Sequence, residues 1–188
     1  MDAAAPPYRV SDSTPEVERV ALLDTRVEEG LADGLVCRAA WLVLEGELGV
    51  ARTQDLLARQ RRGAPMLRAD TTAVTTALLR YVQREVGYRP DPEGEWHQGS
   101  VYTLAHGGDC EDLAVLLVAM LRCVGLGAAV VWYTVPPPAV LNHVTVRVDL
   151  GDGAGVFAEP SVYGAFLGED PWDAATRTAQ TERLGTIP

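Results

Sequence analysis

The spacing of apolar positions changes character along this chain, from a helical repeat in the first half to alternation beyond residue 127. In "STPEVERVALLDTRVEEGL" the residues Val17, Val20 and Ala21 recur at helical spacing. Thr14 is a candidate N-cap there, and Pro15 suits the first helical position. "DGLVCRAAWLVLEGELG" is apolar without a decisive period, so buried helix and strand both remain open. "ARTQDLLARQRR" reads as a helix, and "GAPMLRAD" as a connection. "DTTAVTTALLRYVQREVG" combines an N-cap candidate, Asp70, with apolar Val74, Leu78, Tyr81 and Val82 and a stop at Gly87. "YRPDPEGEWHQG" is a loop by its Pro and Gly content, and "SVYTLAH" a short helix. "DCEDLAVLLVAMLRCVG" is a helix capped by Asp109 and ended by Gly125.

Beyond it "AAVVWYTV" is a strand, "HVTVRVDL" alternates strictly as a second strand, "GDGAG" is a turn, and "VFAEPS" is a short third strand. "DPWDAATRTAQTERL" offers a terminal helix, and residues 1–13 read as a loose arm. The sum is an α+β fold: a central buried helix on a small antiparallel sheet, with an N-terminal helical extension. We divide it into an arm and helical extension over 1–69 and a second domain over 70–188.

Composition narrows the class. With 188 residues, 47% apolar and 22% charged, the chain has enough apolar material for one substantial core and falls in the globular class. The net charge of -10 argues against binding nucleic acid through phosphates. The one basic run, "RQRRG" from Arg59 to Gly63, reads as a solvated helix end. The N-terminus has no charged start followed by an apolar h-region, and the longest apolar run, Leu113 to Leu121, is too short to span a bilayer. Three cysteines make no disulfide framework, and without a CxxC a thiolate zinc site is not indicated. Cys37 and Cys123 are read as core. The expected location is therefore cytoplasmic or particle-associated, without a signal peptide or transmembrane segment.

Cys110 stands apart from the other two cysteines. It falls at the first position of the apolar helix, where backbone N–H groups lack helical partners and the dipole is positive. Both effects favour a thiolate, and the same N–H groups can hold an oxyanion. The Gly107–Gly108 pair clears side chains where a substrate backbone would approach. Against this, Asp109, Glu111 and Asp112 crowd the thiol with negative charge, which raises a thiol pKa. These acids must point away, be paired, or hold a cation. Asp112 has a capping position to explain it.

Among the three histidines, His97 falls in the Pro/Gly-rich loop and is expected exposed, and His106, four residues before Cys110, is either a base for the thiol or an ordinary residue at a helix end. His143 opens "HVTVRVDL", and the intervening chain has room for one helix, one strand and one loop. Alternation puts His143 with Thr145 and Arg147, opposite Val144, Val146 and Val148. A hairpin return sets Glu159 beside His143, where a carboxylate holds the tautomer and orientation of an imidazole. Pro160 biases Glu159 toward an extended backbone.

"GGDCEDLAVLLVAMLRCVGL", then "NHVTVRV", then "FAEPS" resembles the transglutaminase-like (papain-like) cysteine enzyme superfamily, over about residues 70–165. "EWHQGSVYTLAHGGDCED" is similar to the bacterial transglutaminase-like cysteine proteases, including periplasmic enzymes that cleave surface adhesins. The resemblance implies Cys110 as nucleophile, His143 as general base and acid, and Glu159 as orienting residue. Glu159 stands where the family usually has Asp. The resemblance also aligns Asp109 and Glu111 with acids that bind calcium in the adhesin-cleaving members. No other cofactor is required. Trp96 and Gln98 are placed near the site without a role, while Trp41 and Trp132 read as packing.

Two functions follow as expectations. The first is a cysteine peptidase or related amide-bond enzyme, working through a thioester on a protein or peptide substrate. The second is a non-catalytic component of a phage or phage-like particle that keeps the fold for contacts with neighbouring subunits. Neither involves nucleic acid or membrane.

Overall fold

The structure, a computed structural model, describes residues 8–10, 16–91, 95–135, 141–151 and 155–169. Six α-helices span Glu16–Ala32 (α1), Gly34–Leu48 (α2), Val50–Arg61 (α3), Arg68–Tyr81 (α4), Ser100–His106 (α5) and Cys110–Cys123 (α6). Strands span Tyr8–Val10 (β1), Glu95–His97 (β2), Ala128–Val135 (β3), Leu141–Asp149 (β4) and Gly155–Ala158 (β5). The fold is α+β. β3, β4 and β5 form one antiparallel sheet in that order, and β1 and β2 form a separate antiparallel ribbon.

The core is organised around α6. Every residue from Glu111 to Leu121 is buried. An apolar helix this complete has no solvent face, so it needs partners all round. It has them: α1, α2, α4 and α5 pack on it, and so do β3 and β4. The sheet meets it through Val144, Val146 and Val148, the face that alternation assigns to the interior. Truncating a leucine such as Leu117 in this setting costs about 2–5 kcal/mol.

The ambiguous segment "GLVCRAAWLVLEGEL" is helical, with Asp33 accepting a hydrogen bond from the Leu35 N–H as its N-cap. Tertiary packing decides it: Val36, Ala40 and Leu44 form an i, i+4, i+8 stripe that is fully buried. α4 begins at Arg68, two residues before the expected cap, and Leu67 caps it without a side-chain bond. Its C-terminal end widens into a π-helical turn, Val82–Val86, closed by the Gly87 N–H donating to the Val82 carbonyl.

Three expectations are corrected. Residues 8–10 of the presumed arm pair in register with 95–97, which places a strand inside the presumed loop: Tyr8 faces His97 and Val10 faces Glu95. Each strand has only three residues, too short to show a period. Cys37 and Cys123 form a disulfide rather than packing as free thiols. It ties α2 to the end of α6 and removes the composition argument for a reducing compartment. β5 ends at Ala158, so Glu159 lies just past the ladder. Thr14, Pro15 and the expected terminal helix lie outside the described residues. No helix among the described residues is long and apolar enough to cross a membrane.

Candidate functional site

Cys110 is the first residue of α6. Asp109 precedes it in extended conformation, and its Oδ1 accepts from the N–H groups of Glu111 (3.2 Å) and Asp112 (3.4 Å). This is N-capping, and it takes two of the first-turn donors. The Leu113 N–H is taken by the Asp109 carbonyl. The Cys110 N–H is the first-turn donor that these bonds do not use. The loop delivering Cys110 is braced from outside: Gly108 makes a parallel bridge with Tyr88, and the Arg89 N–H donates to the Gly108 carbonyl at 2.7 Å.

The two glycines before the thiol have a packing reason of their own. A Cβ on Gly108 would lie 2.5 Å from the Asp112 Cβ. A Cβ on Gly107, at φ +79°, would lie 2.9 Å from the Gly87 carbonyl oxygen. Both positions exclude a side chain because the loop folds tightly against its own neighbours.

His143 and Glu159 come together as the hairpin register dictates. His143 lies on β4 opposite Tyr133 of β3, and Val146 pairs with Ala158, so Glu159 arrives alongside the start of β4. His143 Nε2 is 2.7 Å from Glu159 Oε2, with both residues buried. The other oxygen, Oε1, accepts from the Ser161 N–H at 3.0 Å and the Ser161 hydroxyl at 2.6 Å. Burial alone would push the Glu159 carboxyl up, but the hydrogen bond and charge of His143 and the two bonds from Ser161 hold it below its ordinary value. Thr145 Oγ1 donates to the Ala158 carbonyl and secures the same strand pair.

Cys110 is partly exposed, and the backbone N–H of Val144, the residue after His143, favours its thiolate. The helix that begins with Cys110 packs on β4, the strand that carries His143 and its Glu159 partner. Burial pushes the Cys110 thiol well above its ordinary value, Asp109 and Glu111 push the same way, and the Val144 N–H pulls against them. The environment as it stands favours the neutral thiol.

The acids beside Cys110 are neither scattered nor fully solvated. Asp112 is buried, and its Oδ1 accepts from the Gln98 N–H at 2.7 Å, while its Oδ2 has no hydrogen-bond partner among the described residues. Burial raises Asp109 to about 8, helped by Glu111 and Asp91. Burial likewise raises Asp112 to about 8, with Asp109 the next cause. Glu111 is buried against His97: Nδ1 and Oε1 are 3.0 Å apart. That corrects the expectation of an exposed His97, which is fully buried on β2. A buried carboxylate needs a partner, and this imidazole supplies one. Asp109, Cys110 and Glu111 each offer a ligand atom, all within 4.8 Å of one another.

The model of the transglutaminase-like superfamily matches residues 60–160, more than half of the chain. The chain belongs to the transglutaminase-like superfamily. No curated protein and no solved structure matches it. The superfamily segment contains Cys110, His143 and Glu159.

Sequence reasoning missed several residues that build this transglutaminase-like site. His97 was concealed by its loop-like surroundings. Tyr88 is half-exposed and its backbone bridges Gly108, two residues before the thiol; burial and then Cys110, Asp109, Asp91 and Glu111 raise its phenol. Gln83 gave no signal at all. His106 ends α5 exposed, with Nδ1 3.0 Å from the Tyr102 carbonyl and its ring stacked on Tyr102, the ordinary role at a helix end.

Proposed function

We propose that this chain is a thiol-dependent amide-bond enzyme, and a cysteine peptidase by the resemblance of its Cys110 segment to the bacterial transglutaminase-like cysteine proteases. In this reading Cys110 is the nucleophile, His143 the general base and acid, and Glu159 the residue that orients the imidazole. The observation that carries the reading is the 2.7 Å contact between His143 and Glu159, both buried and both in the superfamily segment that holds Cys110. Because Nε2 is committed to Glu159, Nδ1 is the ring nitrogen that addresses the thiol. The Sγ proton passes to Nδ1 as the sulfur attacks the amide carbonyl. The Cys110 N–H supports the oxyanion at the helix end. His143 then protonates the leaving amine, a thioester remains, and water completes hydrolysis by the same proton path in reverse.

The charge around Cys110 motivates a second element of the proposal. Asp109 and Glu111 fit a calcium ion by donor type: hard carboxylate oxygens, close together, with an excess of buried acid over the described partners. Asp109 uses Oδ1 for capping and Glu111 sets Oε1 against His97, and the two carboxylates still offer oxygens within 4.8 Å of each other. When bound, the ion would supply positive charge that lowers the pKa of the neighbouring thiol.

The raised thiol also favours a second reading. A fold that keeps its triad geometry while its nucleophile stays protonated suits a non-catalytic assembly component of a phage or phage-like particle. Alkylation separates the two. With Cys37 and Cys123 bonded, Cys110 is the free thiol. The enzyme reading expects rapid labelling by iodoacetamide at neutral pH, slowed by His143→Ala. Slow labelling in the presence and absence of calcium, with no effect of His143→Ala, supports the assembly reading.

A further inference from the structure

We propose that Gln83 is a positioning residue of the thiol site, acting through Glu159; this rests on the triad reading above. Gln83 sits in the π-helical turn Val82–Val86 and is 7% exposed. Its Nε2 lies 2.9 Å from the Glu159 carbonyl oxygen, 3.0 Å from that of Val162 and 3.1 Å from that of Ala165. A carboxamide nitrogen carries two N–H groups, so these three carbonyls share two donors.

The need for such a clamp follows from where β5 stops. The β4–β5 ladder ends with the Val146–Ala158 pair, so the backbone of Glu159 has no strand partner. Pro160 follows and cannot donate. The chain then turns through Ser161 to Ala165 without regular structure. A carboxylate at the first position past a strand end is held only as well as that turn is held. Its side chain is fixed by His143 and Ser161, and its main chain is fixed by Gln83. A single amide thus ties the start, middle and end of the 159–165 turn to the helical layer.

The π-helical turn fits this role. It inserts an extra residue into a helix, redirects the side chains that follow, and recurs at functional sites. Gln83 is the second residue of the turn, and its side chain is buried against the segment after β5. Removing its amide takes the side-chain donor from the buried carbonyls of Glu159 and Ala165 and loosens the turn that carries Glu159.

The test uses the full chain and the rate at which iodoacetamide labels Cys110, for wild type, Gln83→Met, Glu159→Ala, the double variant and His143→Ala. Gln83→Met keeps the volume and removes the donors. A folded Gln83→Met protein should label about tenfold more slowly, in line with the loss of an outer hydrogen-bond support. Because Gln83 acts through Glu159, the double variant should be no slower than Glu159→Ala alone. A staple with a purely structural role slows labelling by the same factor in both backgrounds, and that result overturns the proposal. A wild-type rate for Gln83→Met also overturns it.

His143→Ala separates the clamp from the reading it rests on. If His143→Ala is slow while Gln83→Met matches wild type, the clamp alone falls. If His143→Ala labels as fast as wild type, both fall. Should Gln83→Met not fold, Gln83→Lys decides, because its ammonium brings donors back to the same carbonyls. A rate within about threefold of wild type supports the clamp, and a drop of about tenfold overturns it.

Discussion

Cys37 on α2 and Cys123 at the end of α6 are covalently joined across 86 residues of sequence. The bond links the N-terminal helices to the helix that carries the thiol at its other end. Closing a loop of that length restricts the unfolded chain by about 4–5 kcal/mol in the chain-entropy account, and measured effects usually fall below it. Converting both residues to Ala should lower stability by about 2–4 kcal/mol, a drop in Tm of roughly 5–15 °C. Thiol titration of the denatured protein checks the pairing: one free thiol without reductant and three after reduction. Three thiols without reductant would show that the bond does not form.

The parts of the fold that were legible in the sequence are those with a long period or a strong stop. α6 announced itself by Asp109, an unbroken apolar run and Gly125. β4 announced itself by Val144, Val146 and Val148 alternating with Thr145 and Arg147. The His143–Glu159 pair was legible because a hairpin fixes which residues return to one another. What stayed hidden depends on contacts distant in sequence. Cys37 and Cys123 sit on separate helices, and no local spacing relates them. His97 lies on a three-residue strand, and its register partner is Tyr8, near the start of the chain. Gln83 resembles any polar residue at a helix end until the turn after Glu159 is seen against it.

Glu159 is buried with both carboxylate oxygens occupied, so its removal should affect chemistry and stability together. Glu159→Ala leaves the His143 Nε2 without its acceptor, and the ring loses its preferred tautomer. Labelling and any peptidase rate should fall by about 10² or more, by analogy with other orienting carboxylates. Glu159→Asp shortens the reach by one methylene. It should recover part of the rate only if the turn after β5 moves inward. A Glu159→Ala protein with wild-type labelling would remove Glu159 from the site.

The His97–Glu111 pair at 3.0 Å is buried on both sides, and breaking it from one side leaves a charge or a polar ring without its partner. His97→Ala should therefore cost about 3–5 kcal/mol. The double change His97→Leu, Glu111→Met removes both groups and should cost much less than the single variant. Urea denaturation of the two variants measures the difference. Equal losses would mean that His97 supports the fold by packing, not as the partner of Glu111.

Asp109 and Asp112 give stability a distinct pH dependence. Unfolded, both ionise in the ordinary carboxylate range; folded, both hold their protons to about 8. Between about pH 4 and about pH 8 the folded state binds more protons than the unfolded one, so stability falls as pH rises through that window and levels off above it. Glu159 has the opposite sign, but its lowered value acts below the ordinary carboxylate range and leaves this window clear. Tm should drop by about 5 °C or more between about pH 5 and about pH 8, and Asp109→Asn should flatten the slope. Calcium competes with those protons, so excess calcium should raise Tm more at the alkaline end than at the acid end. A Tm that is flat across the window would mean the acids are ionised and screened. A calcium response that Asp109→Asn and Glu111→Gln leave unchanged would place the ion elsewhere.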